Sequence, residues 1–342
     1  MASFYAKSRR AAAVVVGCVF CISGLLKLMD PVGASFVVTE YFKFFHVAGL
    51  SFVSKGVAVA LAFIEAVLGA ALITGVWRKC IAIATFALTS VFTVITLILF
   101  IANPDMDCGC FGEAIHLTHL QTLLKNVILL ALEAFAFIPF SGLGAPKKIK
   151  YGVFGIASAS FAIFAIWSLL NIPLKDYTEF KPSAKLLAAT TEEDFTDNAT
   201  FPVLSIEGGE YDYLLTTGKV MVVSTEKDMS ASRKISLRNF LSDASEAGFT
   251  TIHLTSDIED YPDAYLSDYK TLLTLNRANG GVTYFDDGVL VRKWSARQYP
   301  SSFALEELYA DDSSAVSLSY ETKGGLTFQA FLLYVFAIML LL

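Results

Sequence analysis

No cysteine follows position 110. The five that occur are Cys18, Cys21, Cys80, Cys108 and Cys110, so the long C-terminal part of the chain can form neither an internal disulfide nor a thiol site. Acidic residues are missing from three segments: Lys7 to Arg10, the Arg78-Lys79 connection, and the stretch with Lys147, Lys148 and Lys150. A basic surplus is missing from residues 171–325, which hold 25 of the 32 acidic groups and 14 of the 26 basic ones, a net of −11. A domain that acidic excludes nucleic acid as a partner, since phosphates need a basic surface. The remaining residues carry a net of +5. What fills the chain instead is apolar: 55 % of the 342 residues, with a mean hydropathy of +0.57. Soluble domains average about 45–50 %, so the excess points to a lipid bilayer.

A helix needs roughly 20 apolar residues to span a bilayer. The windows 11–29, 52–76, 80–102, 121–140 and 151–170 meet this, and 326–342 is a shorter sixth. Lys7-Ser8-Arg9-Arg10 could open a secretory or twin-arginine signal, and Val16-Gly17-Cys18 hints at lipoprotein cleavage. The apolar run continues past Cys18 without a small-residue break, which favours a retained first helix. The three acid-free basic segments alternate with loops holding Asp30, Glu40, Asp105, Asp107 and Glu113, with Lys43 as the exception. The positive-inside rule then puts the N-terminus in the cytoplasm, and the 103–120 loop and the 171–325 domain together on the outer side.

The loop Asn103-Pro104-Asp105-Met106-Asp107-Cys108-Gly109-Cys110-Phe111-Gly112-Glu113 carries the most chemistry. Cys108 and Cys110 can close a strained disulfide or react in turn with a partner's disulfide, and exposed, strained disulfides are the labile ones. A structural clasp is the alternative. A weaker one is zinc held by Cys108 and Cys110 with His116 and His119; the sequence calls for no metal and no cofactor. Cys18 and Cys21 form a CxxC within the first span, readable as secondary thiols or as small apolar helix residues. Ionisable groups inside spans are costly and therefore informative. Glu65, Glu133, Lys27 and Lys125, with Asn126 beside the last, read either as a Glu–Lys pair holding the bundle or as a proton- or quinone-linked path.

Cys108-Gly109-Cys110-Phe111-Gly112 followed by Leu124-Lys125-Asn126 resembles the MauE branch of the DoxX-type membrane proteins. Ser23-Gly24-Leu25-Leu26-Lys27-Leu28-Met29-Asp30-Pro31 is similar to that family's opening helix, and Glu65, Gly69, Gly75, Trp77 and Arg78 fit its second. The likeness covers about residues 11–140. It implies a four-helix unit linked to thiol–disulfide handling for an extracytoplasmic protein, in a bacterial inner (cytoplasmic) membrane.

After a linker over 173–200, Val220 to Ser224 reads as a buried strand, Arg233 to Ala247 as a helix stopped at Gly248, and Thr251 to Leu254 as a second strand. A helix near Tyr265–Leu275 follows, then a hairpin turning on Asp286-Asp287-Gly288. This order resembles a thioredoxin core. No cysteine stands where its dithiol would, at Thr225 to Met229, and Asn279-Gly280-Gly281 replaces its cis-proline. Fusions of this kind are familiar from Bacteroidetes-type proteins. Tyr261, Tyr265, Tyr269, Trp294 and Tyr299 are candidates for an exposed docking surface.

The sequence thus predicts a mainly α, polytopic helical membrane bundle with an α/β thioredoxin-like domain. Residues 1–145 form the four-helix unit, 146–172 a fifth span, 173–200 a linker, 201–325 the outer (periplasmic) domain, and 326–342 the sixth span. Beyond the lipid bilayer, the expected partner is an extracytoplasmic protein. The expected function is thiol–disulfide exchange or envelope-protein maturation through the CGC loop; the alternative is a non-catalytic assembly factor whose outer domain binds that partner.

Overall fold

The computed structural model describes residues 2–104, 106, 108–139, 146–173, 177–178, 180–182, 184–185, 217–226, 229–259 and 261–342. Asp105, Asp107, most of the 173–200 linker and the start of the 201–325 segment lie outside them. The described chain divides into two compact units, Met1–Leu170 with Phe331–Leu342, and Asn171–Ala330.

Among the described residues six helices are long and apolar enough to cross a membrane: Phe4–Met29, Ala48–Thr74, Arg78–Ala102, His119–Phe137, Ile149–Leu170 and Ser313–Leu341. The first unit contains α1 (Ala2–Met29), α2 (Pro31–Phe44), α3 (Ser54–Thr74, entered through a 3-10 turn), α4 (Arg78–Ala102), a short strand β1 (Cys110–Glu113), α5 (His119–Phe137) and α6 (Ile149–Leu170). Small residues draw α1 and α3 together. A Cβ on Gly24 would lie 2.4 Å from the Ala62 carbonyl oxygen, and one on Gly69 would lie 2.5 Å from the Cys21 nitrogen. Bilayer helices associate through such close backbone approach, because lipid offers no hydrophobic drive between them. Cys21 is one of these small residues, fully buried, with its thiol donating to the Ala66 carbonyl at 3.4 Å. Cys18, one turn earlier, is only partly buried.

α2 lies where the sequence predicts a loop. Asp30 caps it by accepting from the Gly33 amide at 2.9 Å, and Pro31 occupies the first turn, where a missing N–H costs nothing. α5 starts on a capping box, Thr118 with Gln121.

The second unit holds a five-stranded sheet built from β2 (Lys219–Thr225), β3 (Thr250–Thr255), β4 (Tyr265–Leu266), β5 (Gly281–Asp286) and β6 (Val289–Trp294), ordered β4-β3-β2-β5-β6. β2 runs parallel to β3 and antiparallel to β5. Helices cover both faces, so β2 is buried almost throughout rather than alternating with polar residues. Met221 and Val223 face a core with Leu237 and Phe240 of α7 (Ala231–Glu246) and Leu305 of α9 (Ser302–Ala310). Val220 and Val222 face the other way, onto Leu272 and Leu275 of α8 (Tyr269–Leu275). Asp287 and Gly288, with φ of 45° and 76°, make the tight β5–β6 turn.

Two expectations need correction. Four of the five aromatics proposed as a docking surface do not face solvent together: Tyr261 and Trp294 belong to the buried core, Tyr299 packs against it, and Tyr265 packs against the opposite core, while Tyr269 is exposed as expected. A ring of that area gains more by burial than by waiting at the surface. The last helix, α10 (Ser313–Leu341), begins well before residue 326, because no proline interrupts Ser313 to Gly325 and two glycines alone do not stop a helix.

Candidate functional site

The CGC loop is held by groups that the intervening sequence hides. Gly109 has a φ of +60°, and a Cβ there would come within 2.4 Å of Val37 on α2, so glycine is required on both counts. Tyr41, one turn further along α2, donates its hydroxyl to the Cys108 carbonyl at 2.9 Å. Burial, and secondarily the two cysteines beside it, pushes the Tyr41 phenol up, which keeps it a neutral donor. Cys108 is buried at 6 % exposure, whereas Cys110 is partly exposed.

Below the loop lies a charged cluster. Ser23 on α1 lies 2.6 Å both from Glu65 Oε2 and from the Cys110 carbonyl oxygen, so its one hydroxyl hydrogen is shared between carboxylate and loop. Lys27, one turn along, pairs with Glu65 Oε1 at 2.6 Å. Both ions are nearly enclosed, at 14 % and 3 % side-chain exposure. Lys27 also lies 5.8 Å from the centre of the Phe92 ring, and Lys125 lies 5.1 Å from that of Phe111. A cavity of about 30 Å³ joins Ser23, Lys27, Glu65, Cys110, Lys125 and Asn126. That is room for about one water molecule and none for a quinone ring.

The sequence-predicted residues are thus partly gathered. Cys110, Lys27, Glu65, Lys125 and Asn126 border one cavity. Glu133 is separate: fully buried, it accepts from Thr89 at 3.0 Å, and its second oxygen has no partner. Asn126 bonds Thr96 at 3.2 Å. Among the described residues no three His, Cys, Asp or Glu side chains stand close enough to hold a metal ion, so His116 and His119 do not complete a zinc set with Cys108 and Cys110. The residues not foreseen are Ser23, Val37 and Tyr41. The Asp30-Pro31 helix start was the signal that could have exposed the last two.

Fold and site together define a multi-pass membrane protein carrying an α/β domain, with a two-cysteine loop seated on a buried ion pair. Residues 6–140 match the family model described as methylamine utilisation protein MauE. A similar curated protein is Protein TlpB of Flavobacterium psychrophilum, 29 % identical over 118 residues, covering 34 % of this chain and 32 % of that one. The match therefore spans about a third of that relative's length. No solved structure matches the chain.

Proposed function

We propose that the chain exchanges disulfides with an extracytoplasmic protein through Cys108 and Cys110. The observation that carries this reading is the seating of the loop: one cysteine partly exposed, the other buried behind it, both backbone carbonyls held, and two lysines bordering the cavity beside Cys110. The Cys110 thiolate attacks one sulfur of a partner disulfide, and the partner's other sulfur leaves as a thiolate. Cys108 then attacks the mixed disulfide at Cys110, releasing the partner as a dithiol and leaving a Cys108–Cys110 disulfide. The reverse sequence oxidises a partner dithiol. In this reading Lys27 and Lys125, which line the cavity with Cys110, supply positive charge beside its thiolate.

The remaining parts fit this reading. The CGC loop follows the third span and the α/β domain the fifth, so both emerge on one side of the membrane. The basic, acid-free segments support a reading in which that side faces away from the cytoplasm, and a bacterial inner membrane is the location this reading requires. The α/β domain's strand order and helix placement support a thioredoxin-like ancestry without the dithiol, and hence a role in positioning the partner. The second reading, an assembly factor in which the loop is only a clasp, rests on the burial of Cys108. Differential alkylation in intact cells separates them. Exchange requires Cys108 and Cys110 to shift between thiol and disulfide when the envelope is made more reducing or more oxidising, while Cys80 stays reduced. A pair fixed in one state under both conditions rejects exchange and supports the clasp.

A further inference from the structure

The MauE-type bundle has a second, larger cavity, at the end of the spans opposite the CGC loop. It has a volume of about 450 Å³ and lies where α1 begins, α3 and α5 end, and α4 starts. Among the described residues, three arginines border it, Arg9, Arg10 and Arg78, and no acidic residue does.

Helix capping accounts for part of this charge. Arg9 donates to the Ala136 carbonyl at 2.9 Å and the Pro139 carbonyl at 2.8 Å, at the end of α5. Arg10 donates to the Leu72 and Ile73 carbonyls at the end of α3, and Arg78 to the Gly75 carbonyl at 3.1 Å. Carbonyl dipoles supply only a fraction of a charge at a helix end. They also leave the arginines crowded. Arg10 Nη1 and Arg78 Nε both lie within 3.2 Å of the point that a Cβ on Gly75 would occupy, so two like charges share one side of the cavity. A guanidinium has five N–H donors, and the bonds to helix carbonyls use two on Arg9 and two on Arg10. The rest of the wall includes Leu72, Ile81 and Phe137. Cations at the level where spans end, above an apolar wall, match a phosphate head carrying acyl chains. Basic pockets between spans bind anionic lipid head groups for this reason.

We propose that this cavity binds the head group of an anionic phospholipid. The anion offsets the Arg10–Arg78 repulsion and ties the ends of α1, α3, α4 and α5 together. The same phosphate chemistry could come from a soluble ion, and the test separates the two sources.

The full chain, purified in neutral detergent, is melted with increasing phosphatidylglycerol, with phosphatidylcholine of the same acyl chains, or with inorganic phosphate. The expected result is a saturable rise in Tm with phosphatidylglycerol alone. Arg78→Gln, and separately Arg10→Gln, should weaken that response at least tenfold in lipid concentration. A Lys147→Gln/Lys148→Gln variant, which removes two cationic charges that do not line the cavity, should respond as the parent does. If Arg10→Gln does not fold, Arg78→Gln decides. An equal response to phosphatidylcholine, a response to phosphate without one to lipid, or an undiminished response in Arg78→Gln overturns the proposal.

Discussion

Lys27 and Glu65 are a pair that neither partner leaves without cost. Both lie inside spans, and their pairing at 2.6 Å follows from facing one another where the backbones of α1 and α3 approach closely. Removing one member of a buried pair strands the other charge, at roughly 3–5 kcal/mol. Glu65→Gln is therefore expected to lower the Tm of the full chain in detergent, with Lys27→Met/Glu65→Gln recovering much of the loss. If Glu65→Gln instead melts like the parent, the pair is not the structural tie described here. Gly109→Ala tests the loop at the same scale. It places a Cβ against Val37 and strains a left-handed residue, so the alkylation rate of Cys108 should rise as the loop lifts from α2. An unchanged rate would show that α2 does not hold the loop.

Among the elements, the contact between α1 and α3 depends on small residues. Gly24→Leu forces apart two backbones already within van der Waals distance, and overpacking of this kind costs about 1–3 kcal/mol or more. A lowered Tm is expected for the full chain, and a wild-type Tm would contradict the packing. In the α/β unit, His253 on β3 bonds Thr225 on β2 at 2.9 Å, and burial pushes its imidazole down to about 4. An unfolded histidine titrates near 6.5. Between those values the unfolded state binds the extra proton, so stability is full above about pH 6.5 and falls as pH falls toward 4. The loss from pH 7 to pH 5 is about 2 kcal/mol. Denaturant midpoints of the full chain at the two pH values should show it, and His253→Asn should reduce it. An equal drop in both proteins would put the titration elsewhere.

For the whole molecule, what the sequence made legible is what has a period or a punctuation mark. The spans appear as long uncharged runs, and the β5–β6 hairpin as Asp-Gly between strand residues. The Cys-Gly-Cys loop appears as a chemical pattern. What it hid depends on contacts between distant segments. Ser23 reads as one polar residue in an apolar helix until Glu65 and the Cys110 carbonyl arrive from 42 and 87 residues away. Tyr41 shows no role until α2 folds against the loop. Tyr261 and Trp294 look like surface aromatics because they sit among polar neighbours, and only the helices packed on the sheet show them to be core. The start of α10 at Ser313 was hidden because its first turns are polar and bind the α/β unit, through Tyr284 to Ser313 at 3.0 Å, before the apolar run begins.

The claim on which all of this turns is that the loop is reactive, and covalent trapping tests it most directly. In cells making the full chain with Cys108→Ser, Cys110 can attack a partner but nothing resolves the product. A reductant-sensitive adduct of higher mass is expected on non-reducing gels, absent from the parent and from Cys108→Ser/Cys110→Ser. No adduct in Cys108→Ser or in Cys110→Ser, with the double variant folding and supporting growth like the parent, would contradict disulfide exchange.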